Sequence, residues 1–551
     1  MTQTSRGASS RRSFKHHLLA GLTASLLFAV QTPAQAASVE FDDASVAEIQ
    51  AAMAAGTFSS EKLIELCLAR INANDKQGPK LHAVMALNPN ALAEAKALDA
   101  ERKAGKVRSA IHGIPVILKD NFDTVQMPTT GGSVLLEGSI PPKDAFVVKK
   151  LRDAGAIILA KVNLSEFAAG GTMSSLGGQS LNPHDLTRSP SGSSGGTGVG
   201  IAAGYAPLGM GTDTGGSIRG PASSNGVVAL KPTHGLLSRN GIIPLALTFD
   251  TGGPFGRNVG DIAAMLSVMT GVDPGDDATK KQTTGKVEKD YTVNLKAGAL
   301  KGARIGVIRD FMGGDADVDW VITAAIEQMK KAGATMVDVH YPKWLLEGRG
   351  EFYTSVRWPE FPVQFNQYLA TLGPKYPKTL NEMIERAEKF TEARPDGARP
   401  NTARWILFKN EAASGSMQDY KYTSVKDYVI PAIRQVVDGV MSTNKLDAMI
   451  YPTSGGKTPL IAGTLERNAR PGAGGGGGTN IANFTGYPDL IVPAGFTGDA
   501  LPVGLSFFGP AFSEGKLISY GYSFEQATHA RHRPVHTPPL AGAKIDVAGG
   551  N

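Results

Sequence analysis

The sequence of 551 residues predicts an α/β fold, in which a central β-sheet is covered by helices. Short apolar runs typical of buried strands alternate with longer amphipathic or alanine-rich stretches typical of helices. The strand-like runs are scattered from residue 114 to residue 507, which favours one elaborated domain over separate domains. Apolar residues make up 42% of the chain and charged residues 19%, so the protein is globular rather than disordered.

The first half of the chain shows this alternation most clearly. We predict an amphipathic helix pair over residues 43–75, a helix over 91–103, a strand over 114–118, a helix over 146–154 and a buried strand over 156–160. Residues 165–200 are dense in Gly, Ser, Asn and Pro, so we expect mostly loop there. Residues 201–208 fit either a helix or a strand, and residues 213–260 are rich in turn formers around a strand at 226–230.

The second half changes in character after residue 262. Strands are predicted at 304–308, 335–339, 448–451 and 490–492, with a helix at 322–332. Helical and aromatic sequence follows residue 339, including Trp344, Trp358 and Trp405. We therefore expect the region 262–445 to contain a helical, aromatic cap over the site. Residues 472–478 are glycine-rich and predict a mobile loop.

The first 36 residues have the layout of an export signal. Four basic residues and no acid precede or enter a 13-residue apolar stretch at 18–30, and an A-x-A arrangement ends at Ala36. The paired arginines Arg11 and Arg12 also fit a twin-arginine signal, and an ordinary secretory signal remains the alternative. We expect a signal peptide over 1–36, a mature domain over 37–551, and a location in the bacterial periplasm or outside the cell.

Charge and cysteine content exclude several classes of protein. The net charge is +6, and without the four cations of the first 36 residues the balance is 52 basic against 50 acidic residues. This balance gives no reason to expect a nucleic-acid partner. No stretch reaches ~18 uninterrupted apolar residues, so no stable membrane association is expected. The single cysteine, Cys67, excludes an intrachain disulfide framework and a thiolate metal cluster.

Three residues carry most of the chemical information. Lys119 ends the apolar run GIPVILK, Ser193 lies in GSSGG, and Ser217 lies in GTDTGGSIR. Taken alone, each has an ordinary explanation: a lysine reaching solvent from a strand end, a serine in a turn, and a serine capping a helix. The segment around Ser194 also fits G-x-S-x-G, but that motif needs a preceding strand, and Pro190 argues against one.

Together these segments resemble the amidase signature family, from about residue 40 to the C-terminus. The match is densest at residues 112–120, 159–166, 189–196 and 210–260. Ser191 stands where the family usually has Gly, and Thr197 where a small Ser is common. The resemblance implies a single domain with a mixed sheet of about eleven strands covered by helices. It also implies a triad of Lys119, a cis-configured Ser193 and the nucleophile Ser217.

The physical chemistry of such a triad is coherent. A hydroxyl is a poor nucleophile at neutral pH and needs a base, and a lysine is a base only when burial lowers its pKa. Ser193 would accept the proton of Ser217 while it gives its own to Lys119. The two glycines before Ser217 let successive backbone N–H groups form an oxyanion hole. The predicted set is as follows: oxyanion hole, Thr214, Gly215, Gly216 and Ser217; supporting residues, Ser194, Asp213 and Arg219; substrate contacts, Ala169, Gly170, Gly171 and Thr172.

The expected activity is hydrolysis of a carboxamide to an acid plus ammonia or an amine, through an acyl-enzyme on Ser217. Neither a metal nor another cofactor is needed for this chemistry. Within the family the chain looks most like bacterial peptide amidases, on the segments 480–488, 501–505 and 525–528. Aryl acylamides, amino-acid amides, lactams and carbamates remain open as substrates. The alternatives are the amidase subunit of a transamidating complex and a non-catalytic binding protein. A monomer or a homodimer is expected.

Overall fold

A computed structural model describes residues 37–284, 287–461 and 478–547 of the protein. The predicted signal peptide over 1–36 and nearly all of the glycine-rich segment 472–478 lie outside these ranges. None of the helices within the described ranges has the length and apolar character that crossing a membrane requires.

Fifteen strands are present in the described ranges. They are β1 Ala37–Glu40, β2 Val84–Leu87, β3 Pro115–Lys119, β4 Ile157–Val162, β5 Met173–Ser174, β6 Gly178–Gln179, β7 Leu208–Asp213, β8 Val228–Lys231, β9 Thr251–Gly256, β10 Arg304–Ile308, β11 Thr335–Val339, β12 Ala448–Pro452, β13 Asp489–Phe496, β14 Pro502–Phe508 and β15 Lys544–Val547.

Eleven of these strands form one mixed sheet in the order β11-β10-β12-β14-β13-β8-β9-β7-β3-β4-β2. The pairs on either side of β3 are parallel, as are those on either side of β10, and the remaining pairs are antiparallel. The expected α/β fold with about eleven strands in a single domain is therefore confirmed. Strands β3, β4 and β7 are buried along their whole length, as expected of strands covered on both faces.

In the part of the chain that the structure describes, fifteen α-helices surround the sheet. They are α1 Val46–Ala54, α2 Ser60–Ile71, α3 Ala91–Lys103, α4 Phe146–Asp153, α5 Gly195–Ala202, α6 Arg219–Ser224, α7 Val259–Met269, α8 Ala316–Lys331, α9 Lys343–Ala370, α10 Leu380–Lys389, α11 Thr402–Ala412, α12 Tyr420–Ser424, α13 Ile430–Thr443, α14 Thr479–Thr485 and α15 Glu514–Thr528. Short 3₁₀ or π segments occur at Asn72–Lys76, Val134–Leu136, Glu166–Ala168, Asp277–Thr283, Tyr291–Asn294, Arg309–Phe311 and Val425–Val429.

Helices α9 to α13 form the helical region expected in the second half of the chain. Phe361 and Phe365 of α9 and Phe408 of α11 stack on one another and enclose Phe167 of the main domain. A second apolar cluster joins α9, α13 and α14 to the sheet. We call helices α9 to α13 the cap; through α9 and α11 it packs on the loop that follows β4.

The expectation of a loop over residues 165–200 is wrong for its last part, because α5 begins at Gly195. Every residue of α5 is buried, so its glycines and alanine serve close packing rather than turns. Strands β7 and β9 were not predicted as such, since their sequences LGMGTD and TGGPFG lack the β-branched pattern of a typical strand.

Candidate active site

The site begins with the side chain of Lys119 at the carboxyl end of β3. Strands β3 and β7 are parallel, with Leu118 opposite Met210, so the carboxyl ends of both strands meet at one edge of the sheet. Lys119 is fully buried there. Its Nζ lies 2.7 Å from Ser193 Oγ and 2.7 Å from Thr212 Oγ1. The lysine head therefore faces two hydroxyl groups instead of solvent.

Burial sets the protonation of this lysine. Desolvation lowers the pKa of Lys119 from 10.5 to about 7, and the carboxylates of Asp213 and Asp250 oppose this shift. An ammonium loses its hydration inside the protein, which favours the neutral amine. Thr212 Oγ1 also accepts a hydrogen bond from Asn121 Nδ2 at 3.0 Å. A neutral Lys119 that donates to Thr212 keeps its lone pair free for the hydroxyl hydrogen of Ser193.

Ser193 is held by its backbone in one orientation. The Gly192–Ser193 peptide bond is cis, and the Ser193 carbonyl accepts a hydrogen bond from the Ser165 N–H at 3.0 Å. Ser193 is 2% exposed. The next residue, Ser194, binds the backbone of Thr212 through its hydroxyl, with Oγ 3.2 Å from the carbonyl oxygen. These contacts fasten the serine loop to the end of β7, beside the lysine.

A glycine at 211 makes this close approach possible. A Cβ at that position would lie 2.7 Å from Ser194 Oγ and 2.5 Å from the ring of Phe255. Any side chain there would push the serine loop away from β7. Gly211 is therefore required by packing. Its presence among other small residues also explains why the sequence of this strand does not look like a strand.

Ser217 lies in the turn between β7 and α6. Its carbonyl oxygen accepts a hydrogen bond from the Ser194 N–H at 3.2 Å, which ties the two serine loops together. Ser217 is partly exposed, whereas Ser193 and Lys119 are buried. Within the described residues the Ser217 hydroxyl makes no hydrogen bond to Ser193. A direct transfer of its proton to Ser193 would require a rotation of the Ser217 side chain.

Asp213 shapes the turn that carries Ser217. Its carboxylate accepts hydrogen bonds from the N–H groups of Gly216 and Ile218, both at 2.9 Å. Arg219 binds the same carboxylate with two nitrogens, at 2.9 and 3.1 Å. Asn483 of α14 adds a further bond at 2.9 Å. Since the carboxylate and its side-chain partners are buried, Asp213 fixes the turn from inside the protein.

Arg219 connects this turn to the opposite part of the sheet. It is fully buried and binds Asp489 of β13 at 3.0 Å as well as Asp213. The guanidinium beside Asp213 holds the pKa of that carboxyl well below its usual range, and the two carboxylates raise the pKa of Arg219. Paired in this way, the buried charges are compensated.

The backbone N–H groups of the turn are divided between two roles. The N–H of Gly216 points to Asp213 and is not available to a substrate, which differs from the expectation for that residue. Within the described residues, the N–H groups of Gly215 and Ser217 donate no hydrogen bond. These two N–H groups are therefore free to bind a ligand atom next to Ser217. Thr214 supports the turn through its hydroxyl, which donates to Asp250 at 2.5 Å.

The segment expected to contact substrate, Ala169 to Thr172, follows the left-handed residues Phe167 and Ala168. A Cβ on Gly192 would lie 3.5 Å from the carbonyl oxygen of Gly171, so this segment borders the cis peptide. Gly170 packs against the backbone of Arg404 in the cap, and the Thr172 hydroxyl binds Gln179 at 3.1 Å.

Several residues at the site were not identified from the sequence. The Thr212 hydroxyl accepts a hydrogen bond from Lys119. The Thr479 hydroxyl of α14 donates a hydrogen bond to the carbonyl of Gly215 at 3.0 Å, and Tyr353 of α9 lies over Gly215. The last two come from elements more than a hundred residues away, and no local motif marks them. Thr212 could have been found, because alternation along β7 places it on the strand face next to Lys119. Among the described residues no group of three or more His, Cys, Asp or Glu side chains is arranged to hold a metal ion.

The chain is similar to known proteins over most of its length. The profile of the family described as Amidase matches residues 62–518. The A-type subunit of glutamyl-tRNA(Gln) amidotransferase from Chloroflexus aggregans is 35% identical over 517 residues, which cover 90% of this chain and 98% of the relative. The protein of the same name from Anaeromyxobacter dehalogenans is 37% identical, covering 89% of this chain and 97% of the relative.

Among solved structures, the native peptide amidase of Stenotrophomonas maltophilia matches this fold with a TM-score of 0.80 at 37% identity. The superposition covers 90% of this chain and 99% of that chain. The described fold therefore spans almost the whole of that structure.

Proposed function

Since this chain belongs to the amidase signature family of amide-hydrolysing enzymes, we propose that it acts through the triad Ser217, Ser193 and Lys119. The observation that carries this assignment is the buried amine of Lys119, 2.7 Å from the Ser193 hydroxyl. The hydrogen bond from the Ser194 N–H to the Ser217 carbonyl supports Ser217 as the third member, because it holds Ser217 beside the loop that carries Ser193. A buried, neutral lysine is the base that a serine nucleophile needs.

The proton path follows from these contacts. Lys119 accepts the Ser193 hydroxyl proton while Ser193 accepts the proton of Ser217, and Ser217 Oγ attacks the carbonyl carbon of the amide. The N–H groups of Gly215 and Ser217 bind the oxygen as it becomes negative. When the C–N bond breaks, the proton returns from Lys119 through Ser193 to the leaving nitrogen. Water attacks the resulting ester along the same path and releases the acid.

The test is ammonia or amine release by the purified mature chain and its Ser217→Ala variant. We expect the variant to lose turnover while its unfolding temperature is unchanged. Full activity in Ser217→Ala would overturn the proposal. Addition of a chelator should leave the rate of the unmodified protein unchanged, because every proposed step uses side-chain and backbone groups.

For the substrate we propose a peptide carrying a C-terminal amide, with aryl or alkyl amides as the next candidates. The similarity to the Stenotrophomonas maltophilia peptide amidase supports this choice. Parallel assays on a peptide amide, an anilide and a simple aliphatic amide would decide it. A higher kcat/KM on the anilide or the aliphatic amide would refute the peptide-amide assignment.

A second candidate is the amidase component of a glutamine-dependent amidotransferase. It is favoured by the identity of 35–37% to amidotransferase subunits, over almost their entire length. Such a subunit would release ammonia to a partner protein, so purification from the native host should recover a stoichiometric partner. Recovery of the chain alone, active on free amides, supports the independent hydrolase.

We also propose export, which rests on the sequence of residues 1–36. A mature protein that begins at Ala37 in the periplasm or medium would agree with this. Replacing Arg11 and Arg12 with lysine separates the two export routes, because a twin-arginine signal requires the pair. A chain that keeps residues 1–36 in the cytoplasm would contradict the proposal and favour the amidotransferase candidate.

A further inference from the structure

Tyr353 of the cap helix α9 lies directly over the turn that carries Ser217. A Cβ added to Gly215 would be 3.1 Å from both Cζ and Oη of Tyr353, so the phenol end of the ring occupies the space above that glycine. The ring stacks on Phe249, with the centroids 5.7 Å apart and the planes at 21°. The guanidinium of Arg357 lies 6.0 Å from the ring centroid. These neighbours fix the ring with its hydroxyl end at the turn.

The hydroxyl of Tyr353 makes no hydrogen bond within the described part of the chain, although the residue is only partly exposed. Three less exposed tyrosines in and around the cap are paired: Tyr368 with Asp123 at 2.8 Å, Tyr422 with Glu360 at 2.8 Å and Tyr487 with Asp438 at 2.7 Å. The hydroxyl of a partly buried tyrosine either pairs with a protein group or stays open to solvent and ligands. Its lack of a partner here indicates that the hydroxyl is available to a bound ligand.

Two further donors are unpaired in the same place. Within the described residues the N–H groups of Gly215 and Ser217 donate no hydrogen bond, whereas the N–H between them binds Asp213. The Tyr353 hydroxyl therefore joins two free backbone donors at the turn of the nucleophile. Donors that lie at one turn without acceptors are suited to an oxygen that develops negative charge.

We propose that the Tyr353 hydroxyl donates a hydrogen bond to the carbonyl oxygen of the substrate as Ser217 attacks, which makes Tyr353 a catalytic residue of the cap. This inference rests on the proposed function, since it takes Ser217 as the nucleophile. Burial raises the pKa of Tyr353 above its ordinary value, so the phenol keeps its proton and stays a donor at neutral and moderately alkaline pH. Backbone groups of the main domain and a side chain of the cap then bind one oxygen together.

The test compares Tyr353→Phe with Tyr341→Phe in the full mature enzyme. Tyr353→Phe keeps the ring and its stack on Phe249 and removes the hydroxyl alone. We expect kcat on a peptide amide to fall by about 10²-fold with little change in KM, as for a lost oxyanion donor. Inhibition by a peptide aldehyde, which forms a tetrahedral adduct with a serine, should weaken by a similar factor. Tyr341→Phe removes a buried hydroxyl that contacts Met449 in the same cluster, and should leave both values unchanged.

Gly215→Ala provides an independent second variant. The added Cβ lies 3.1 Å from the Tyr353 hydroxyl oxygen, so the phenol has to shift away from the turn, and we expect kcat to fall. Adding Tyr353→Phe to Gly215→Ala should then cost little more, since the donor is already displaced. Fully additive losses would contradict the proposal.

Two results would overturn the inference: wild-type kcat in Tyr353→Phe, or a loss confined to KM. Ser217→Ala, measured beside it, separates this failure from failure of the proposed function. An inactive Ser217→Ala with a fully active Tyr353→Phe removes only the role of Tyr353. An active Ser217→Ala removes both.

Discussion

Lys119 Nζ lies 2.7 Å from Ser193 Oγ, and both groups are shielded from solvent by strands β3 and β7 and by the loop that enters α5. The contact joins residues 74 positions apart in the chain. It depends on a cis peptide on one side and on a parallel strand pair on the other. We propose that this contact is the proton relay of the enzyme.

Ser193→Ala should remove the relay and leave the nucleophile in place. We expect kcat/KM to fall by roughly 10²–10⁴-fold, the usual contribution of a positioned acid–base group. Ser174 is a buried serine of the hairpin β5–β6, and its replacement by Ala serves as the control. Steady-state kinetics on one amide checks both variants. A relay role for Ser193 is excluded if its variant loses no more activity than the control.

The pH profile should report the lysine. Because burial lowers the pKa of Lys119 to about 7, the neutral amine becomes the main form above that pH. The value of kcat/KM should therefore rise with pH, with a midpoint near 7, and stay level until other groups titrate. Rates on a neutral substrate between pH 5 and 9 give the profile. A rate that is flat from pH 5 to pH 9 would show that no base with this pKa acts in the reaction.

The free energy of unfolding should also depend on pH because of the lowered pKa of Lys119. The pKa of Lys119 is about 7 in the folded protein against 10.5 for an ordinary lysine. Between these values the unfolded chain binds a proton that the folded chain does not, so this residue makes the free energy of unfolding rise with pH. In Lys119→Met this contribution disappears. The variant should gain a few kcal/mol relative to wild type below pH 7, since one pKa unit is about 1.4 kcal/mol.

That gain should decline as the pH approaches 10.5. Urea unfolding of wild type and variant at pH 6 and pH 10 measures it. Burial also lowers the pKa of a second lysine, Lys231, to about 7. Its contribution to the free energy of unfolding is the same in wild type and variant, so it cancels in the difference. A difference in unfolding free energy that does not change with pH would contradict the lowered pKa of Lys119.

Arg219 should matter for both stability and activity. Arg219→Met leaves the buried carboxylates of Asp213 and Asp489 without their cation, which typically costs about 3–5 kcal/mol. The turn that carries Ser217 loses its anchor at the same time, so kcat/KM should drop. Arg309→Met breaks the largely exposed pair with Asp338 and should cost no more than about 1 kcal/mol. Thermal unfolding and kinetics of both variants check the contrast, and equal effects would refute it.

The sequence was sufficient to predict those helices and strands whose local residue pattern is the usual one for the structure they form. Strands β10 and β11 and helix α3 have the predicted bounds, because their apolar or alanine-rich runs follow ordinary propensities. Strands β7 and β9 and helix α5 escaped prediction. Their glycines are selected by close contacts between layers, as at Gly211, and propensity alone identifies such segments as turns.

The site residues also fall into two groups: those that a local motif marks and those that distant helices contribute. Lys119, Ser193 and Ser217 belong to compact motifs. The structure brings Lys119 and Ser193 into contact and bonds the Ser217 carbonyl to the N–H of Ser194, the residue after Ser193. Tyr353 and Thr479 reach the same turn from the cap and from α14. Their positions follow from the packing of distant helices, and no spacing in the sequence marks them. The residues that the cap contributes to the site are therefore the hardest to predict from the sequence.

The central claim is that Ser217 forms the acyl-enzyme with Lys119 as the buried base. Mass spectrometry of the protein after reaction with a sulfonyl fluoride, with peptide mapping of the adduct, tests it most directly. We predict one adduct on Ser217, formed much more slowly in Lys119→Met and absent in Ser217→Ala. An adduct on a different residue that abolishes activity, or unchanged labelling in Lys119→Met, would contradict the account.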